Sequence, residues 1–257
     1  MKQPLFPLIS AGILFSPPAF AAIAYVQTID IIGTSSTTSV TFAGFTAIGA
    51  GDSLVCGLLI HNATDTITTV VSGGFTYTAI TATFLTYISA YGELLVAGTN
   101  ITGGPTSINV TFSGTPTGTD HYLHCDEYSG SITSTTFGVD GSSAANASCT
   151  TTISTNSITT LSSNDMIWST ASKGGVTWPA PSGGGLTWTL RASGATGTGI
   201  ASAEAPQVSP GAVAATWSSP STTNLVSCYA GILAIKPLPS GGTKSLPSLT
   251  ILGVGAS

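Results

Sequence analysis

The feature that most limits the possible folds is a regular succession of short apolar segments, each ended by a cluster of Gly, Pro, Asn or Ser. These segments are rich in β-branched and aromatic side chains, which is typical of β-strands joined by tight turns. No convincing run of apolar residues recurs at helical spacing. In the first part of the chain the predicted strands are 23–32, 39–42, 52–61, 67–71, 75–80, 84–90, 93–97 and 107–112.

The second part of the chain repeats motifs of the first part in the same order. Four pairs of segments correspond: 52–55 with 165–168, 73–78 with 184–189, 110–113 with 215–218, and the strand of Cys125 with the strand of Cys228. A half of about four strands cannot bury its faces alone. We therefore predict an all-β fold, a single jelly-roll-like antiparallel β-sandwich in which two faintly repeated halves interlock.

The two ends of the chain are expected to lie outside this domain. Met1-Lys2, an apolar run over 5–15 and the small-x-small site Ala19-Phe20-Ala21 predict a signal peptide, residues 1–21. The apolar run is too short to span a membrane, and no other span is expected after cleavage. Residues 22–237 are predicted to form the sandwich, and the Pro- and Gly-interrupted residues 238–257 a flexible C-terminal tail.

Charge restricts the possible partners. Only 6% of the residues are charged, and ten Asp+Glu against five Lys+Arg give a formal net charge of -5. Such a chain lacks the basic surface that neutralises phosphates, which argues against nucleic acid and anionic membranes as partners. The remaining surface must be rich in Ser, Thr, Gly and Asn, which favours a secreted or cell-surface protein.

Four short segments of residues 22–237 form a recognisable series: the strand opener Gly51-Asp52-Ser53-Leu54-Val55, the stretch 103–112, the acidic-aromatic strand end 127–130, and the closing Lys236-Pro237. In these segments the chain resembles a loosely defined group of exported bacterial β-sandwich domains. The resemblance implies a β-sandwich and export, and it supplies no activity. The cysteines are not part of the group's pattern.

Four cysteines in an exported chain predict two disulfides. None lies in a C-x-x-C pair, which argues against zinc or a redox role. We expect Cys125 to pair with Cys149 and Cys56 with Cys228, because the first pair would brace residues 129–163, the predicted linker between the halves. Free buried thiols are the alternative.

Ionisable side chains are concentrated in the segment 120–128. On a strand, alternate side chains face opposite ways, so Asp120, Tyr122, His124, Asp126 and Tyr128 share one face. This makes His124, Asp126 and Tyr128 candidate ligand-binding residues, with ordinary hydrogen bonding as the alternative. A Ca²⁺ site built from Asp120, Asp126 or Asp140 is a further possibility, and no other cofactor is expected.

Aromatic residues offer a second kind of binding surface. Trp178 and Trp188 lie near prolines and the Gly183-Gly184-Gly185 run, where they could form the flat platform on which sugars stack. We therefore hypothesise a non-catalytic secreted protein that binds a neutral ligand, a glycan, at the cell exterior. The alternative is a structural subunit of an extracellular filament, coat or matrix that assembles with copies of itself through residues 238–257.

An enzyme is the least favoured interpretation. Gly51-Asp52-Ser53-Leu54 spells the nucleophile motif of one esterase and lipase family, but no His follows His124. Asp126 and Glu127 are adjacent on a strand, so they cannot flank one bond as in a glycan-active hydrolase. The second carboxylate of such an enzyme would have to come from Asp30, Glu93 or Glu204, and nothing in the sequence selects among them. We expect Glu127 to bind backbone amides near the strand end.

Overall fold

The computed structural model of the protein describes residues 22–35, 38–61, 67–72, 75–79, 85–88, 91–98, 104–114, 121–130, 144–146, 151–173, 176–194, 199–218 and 228–237. Within these ranges the regular elements are β-strands, and every strand pair is antiparallel. This confirms the prediction of an all-β antiparallel fold. The predicted signal peptide, 1–21, and the tail, 238–257, lie outside the described residues.

The first half, residues 22–130, forms a sheet whose strands follow the order β1-β10-β4-β8-β6-β5-β9-β3-β2, with β7 paired to β8. The strands are β1 (Ala24–Ile32), β2 (Thr34–Ser35), β3 (Ser39–Ala43), β4 (Ser53–His61), β5 (Ile67–Ser72), β6 (Phe75–Ala79), β7 (Leu85–Ile88), β8 (Tyr91–Gly98), β9 (Ser107–Phe112) and β10 (Tyr122–Ser129).

The core of the first half lies between the two ends of this sheet. Side chains of β1, β4 and β10 pack in one buried cluster with side chains of β3 and β9. On β3 and β9 buried and partly buried residues alternate, as expected of strands with one face on a core. The sheet therefore folds back on itself, so that its two ends enclose a single core.

The second half, residues 144–237, has a five-stranded sheet of order β11-β19-β14-β16-β15 and two smaller pairs, β12-β18 and β13-β17. The strands are β11 (Ala144–Asn146), β12 (Thr152–Ser154), β13 (Ile158–Thr159), β14 (Asp165–Ser172), β15 (Thr189–Ser193), β16 (Ile200–Gln207), β17 (Ala212–Val213), β18 (Thr216–Ser218) and β19 (Tyr229–Ile235). It has a buried core of its own, to which Trp178 and Trp217 contribute.

The predicted repeat is visible in the strand order. The order β1-β10-β4-β8-β6 in the first half equals β11-β19-β14-β16-β15 in the second half. The register agrees as well, because Thr78 pairs with Ala97 on β8, the fourth strand of this series, and Thr189 pairs with Glu204 on the corresponding strand β16. Among the described strands none of one half pairs with a strand of the other, so the interlocked single jelly roll is not confirmed and stays a prediction.

The disulfide pairing differs from the expectation. Cys56 and Cys125 lie directly opposite each other on β4 and β10, with Cα atoms 4.1 Å apart, and form a disulfide. Both predicted pairs are therefore wrong, although the prediction of disulfides rather than free thiols is confirmed for the described cysteines. Cys228 is also disulfide-bonded and comes just before β19, whereas Cys125 is inside β10. The two strands correspond, but their cysteines do not.

The halves meet through the faces of their sheets that point away from the two cores. A third buried cluster contains Val55 and Tyr128 from the first half together with Trp168, Tyr229 and Leu233 from the second half. We call the surface where the two halves meet the joint. Strand β10 is therefore buried on both faces, one against its own core and the other in the joint.

Candidate functional site

The polar face of β10 lies in the joint, not on the surface of the molecule. Leu123 and Cys125 point into the core of the first half, as the alternation of a strand requires. His124, Asp126 and Tyr128 point the other way and are fully buried. The structure thus brings these three predicted residues together, but the second half covers the face that was expected to hold a ligand.

Asp126 is the centre of the polar contacts. The Thr28 hydroxyl, opposite Asp126 on β1, donates to its Oδ1 at 2.5 Å. The Trp168 indole of the second half donates to its Oδ2 at 2.7 Å. A buried carboxylate requires such donors, because an unpaired charge away from water is costly. Asp126 therefore ties β1 of its own half to β14 of the other half.

His124 makes the second contact across the joint. Its Nε2 lies 2.8 Å from Oγ of Ser202 on β16. Two carboxylates flank the ring: Asp30 Oδ1 is 3.8 Å from Nδ1, and Asp126 Oδ2 is 3.8 Å from Nε2. These distances exceed a hydrogen bond, so the attraction to the carboxylates is that of separated charges.

The surroundings determine the protonation of this group. Burial lowers the pKa of His124, but Asp126 and Asp30 raise it more, to about 9. Burial likewise pushes the pKa of Asp126 up, whereas His124, Ser202 and Thr28 together hold that pKa below its ordinary value. At neutral pH His124 is therefore a cation between two carboxylates, and it donates its Nε2 hydrogen to Ser202.

A second group of residues lies beside this cluster. Arg191 on β15 binds the Glu204 carboxylate on β16 and stacks over the Tyr25 ring of β1, with Cζ 3.9 Å from the ring centroid. The Tyr25 hydroxyl is 2.9 Å from Thr28 Oγ1, and its ring meets Tyr128 edge to face. Burial and the charges of Asp126 and Glu204 raise the pKa of Tyr128. The cation–π contact is thus a further link between the halves.

The order Ser202, His124, Asp30 is that of a serine nucleophile with its base and orienting acid, but the arrangement cannot work in this way. Ser202 and His124 are fully buried, so a substrate cannot reach the hydroxyl. A general base must also be unprotonated at the working pH, and the raised pKa keeps the proton on His124. The cluster is built to hold the two halves together.

A separate pair of carboxyl groups lies at the end of the first half. The Gly49 amide donates to Glu127 Oε1 at 2.7 Å, and the Gln27 amide group donates to Oε2 at 2.5 Å. This confirms that Glu127 binds a backbone amide near the strand end. Burial and a hydrogen bond with Glu127 raise the pKa of Asp52 to about 6.

The two tryptophans expected to form a sugar platform are placed differently. Trp178 is only 1% exposed and packs edge to face on Trp217 in the core of the second half. Its ring has no open face, which corrects the expectation for this residue. Trp188 is partly exposed, and its indole donates to the Gly183 carbonyl at 3.1 Å.

Only one carboxylate of the predicted Ca²⁺ site lies in the described residues. Of its three carboxylates, Asp126 is occupied by Thr28 and Trp168, and Asp120 and Asp140 lie outside the described residues. In the described ranges no group of three or more His, Cys, Asp or Glu could hold a metal ion. A Ca²⁺ site stays a prediction.

Sequence reasoning did not identify the partners from the second half. Ser202 and Glu204 alternate on β16 with the small buried residues Ala201, Ala203 and Ala205. This alternation was a usable signal, because it separates an alanine face, which packs in the core, from a polar face, which needs water or a polar partner. Nothing in the sequence says that this face meets β10.

Fold and site together define a class: an all-β protein with a disulfide, built from two halves of equal strand order that meet at a buried polar joint. The described part of the chain has no helix long and apolar enough to cross a membrane. No protein-family model matches the chain, and neither a curated protein nor a solved structure matches it.

Proposed function

We propose that the protein is a secreted, non-catalytic building block of an extracellular filament, coat or matrix. The observation that carries this proposal is the closed joint, in which Asp126 and His124 are fully buried and bound to the second half. Two domains of one chain normally move relative to each other unless their interface is extensive. A joint with charged hydrogen bonds inside an apolar cluster favours one rigid body, and a fixed shape is what a repeating assembly requires.

The distribution of cations supports the same proposal. Of the five Lys and Arg residues, Lys2 lies in the predicted signal peptide, Lys173 is buried, and Arg191 is paired with Glu204. The mature surface therefore has few cations to bind anionic partners. Contacts between copies would depend on hydroxyl groups, backbone and apolar side chains, as in strand addition by the segment 249–254.

The test is light scattering after size exclusion on residues 22–257, beside a chain that ends at Pro237. We expect the longer chain to form multimers and the shorter chain to remain monomeric. A full-length control, Ile251→Asp, keeps the tail but places a charge in its apolar segment, and it should also stay monomeric. Monomers in all three samples would refute assembly through the tail.

A second candidate, glycan binding, is favoured by Trp188. Its indole is held by the Gly183 carbonyl while part of the ring stays exposed, which would present a fixed face for a sugar. Retention on a panel of neutral polysaccharides should be lost in Trp188→Ala and kept in Thr187→Ala, the exposed neighbour. Equal retention of both variants, or no retention of the parent chain, would exclude this candidate.

A further inference from the structure

We propose that one proton, carried by His124, locks the two halves together, and that removing it at alkaline pH opens the joint while each half stays folded. This inference does not depend on the proposed function. It concerns a conformational switch built into the fold.

The charges around the His124 ring depend on its proton. His124 has no exposed surface, and Asp30 and Asp126 flank it from β1 and β10. With the proton present, one cation lies between two carboxylates. Without it, the fully buried Asp126 keeps its charge in the joint and loses the cation that faces it. Removing one member of a buried charge pair is strongly destabilising for this reason.

The other groups at the joint do not replace this cation. From β15 and β16, Arg191 and Glu204 bind each other, so their charges compensate. Strand β14 contributes Trp168, and β4 places Gly57 opposite His124, both of them neutral. The tyrosines at the joint are Tyr25 and Tyr128 from the first half and Tyr229 from the second half. The raised pKa of Tyr128 means that His124 loses its proton first.

Loss of the His124 proton affects the joint and not the two cores. Each half has its own core cluster, and the described strands pair only within their own half. Ser202 and Trp168, which bind His124 and Asp126, both belong to the second half. Losing the proton therefore weakens the contact between the halves and leaves the two cores intact.

The pKa of His124 sets the pH at which the joint should weaken. With the joint closed, burial lowers this pKa, but Asp126 and Asp30 raise it more, to about 9. Both carboxylates belong to the first half and stay beside the ring when the joint opens, so opening changes the access of water to these charges and not their spacing. The proton therefore favours the closed joint at neutral pH, and this effect disappears as the pH rises through about 9.

The experiment follows indole resonances and small-angle scattering of the chain without residues 1–21, from pH 6 to 10.5. The Trp168 indole N–H reports on the joint, because it donates to Asp126. The Trp217 indole N–H donates to Ser169 inside the second half and serves as the internal control. We expect the Trp168 signal to shift and the radius of gyration to grow near pH 9, while the Trp217 signal stays in place.

Two variants and one control decide the matter. His124→Gln keeps a donor for Ser202 but cannot titrate, so it should abolish the change between pH 7 and 10. Asp30→Asn removes one flanking carboxylate and should move the transition at least about one pH unit lower. Because Asp30 is partly exposed, this variant should fold even if His124→Gln does not.

Asp52→Asn removes the same charge away from the joint and should leave the transition unchanged. A parent chain without a transition up to pH 10.5, or one that is unmoved in Asp30→Asn, overturns the proposal.

Discussion

Replacing both Cys56 and Cys125 by alanine should destabilise the first half alone. The bridge joins residues 69 positions apart, and both ends lie in the first half. In the chain-entropy description a loop of this length restricts the unfolded chain by about 15 cal/mol/K, or about 4 kcal/mol at 25 °C. We therefore expect the double variant to lose about 4 kcal/mol of its free energy of unfolding.

The chain provides a way to separate the halves in this measurement. All four tryptophans, residues 168, 178, 188 and 217, belong to the second half. In a denaturant titration, tryptophan fluorescence therefore reports on the second half and, through Trp168, on the joint, whereas far-ultraviolet circular dichroism reports on both halves. We expect the double variant to show an early transition by circular dichroism that fluorescence follows only in the part contributed by Trp168.

A volume-matched control separates the cross-link from packing. Cys56 and Cys125 are fully buried in the first core, so truncation to alanine also removes contacts. Cys56→Val with Cys125→Val fills that space and should show nearly the same loss. A loss below about 1 kcal/mol in both double variants would refute the loop-length reasoning. Transitions that shift together would show that the halves do not unfold separately.

Three further predictions concern the joint and the carboxyl pair. Trp168→Phe keeps an aromatic ring but removes the donor to Asp126 Oδ2, and it should cost about 1–3 kcal/mol by chemical denaturation. The pKa of Asp52 is raised to about 6, so the folded protein binds this proton more tightly than the unfolded chain does. The melting temperature should therefore fall as the pH rises from 4 to 6, and Asp52→Asn should remove the part of this pH dependence that Asp52 contributes. Gly49→Ala places a methyl group 2.3 Å from Asp52 Oδ2, so it should push that carboxyl group away from Glu127 and return its pKa, measured by carbon NMR, towards 3.8.

The strand pattern was predictable because it depends on local chemistry. Turn residues and β-branched runs mark β4, β9 and β10 in the sequence close to where the structure has them. The repeat was also readable, since segments 73–78 and 184–189 lead into equivalent strands with the same register. These are properties of neighbouring residues.

The joint was not predictable, because it depends on contacts between distant strands. His124, Asp126 and Tyr128 were correctly placed on one face, but a polar face is expected to meet water or a ligand. The hydrogen-bond partners Trp168 and Ser202 come from strands more than 40 residues away. The disulfide pairing failed for the same reason, since only the β4–β10 register places Cys56 opposite Cys125.

The chemical difference between the two faces of the joint has a consequence for how copies recognise each other. Because the two halves share one strand order, equivalent halves of neighbouring molecules could pair with each other in place of the correct half. Two first halves would bring Asp30 and Asp126 against the same pair of carboxylates, without the hydrogen-bond partners Trp168 and Ser202. Like charges buried together are strongly unfavourable. The polar residues of the joint therefore favour contact between a first half and a second half over contact between two first halves. Each molecule can then close its own joint even when its copies are crowded around it.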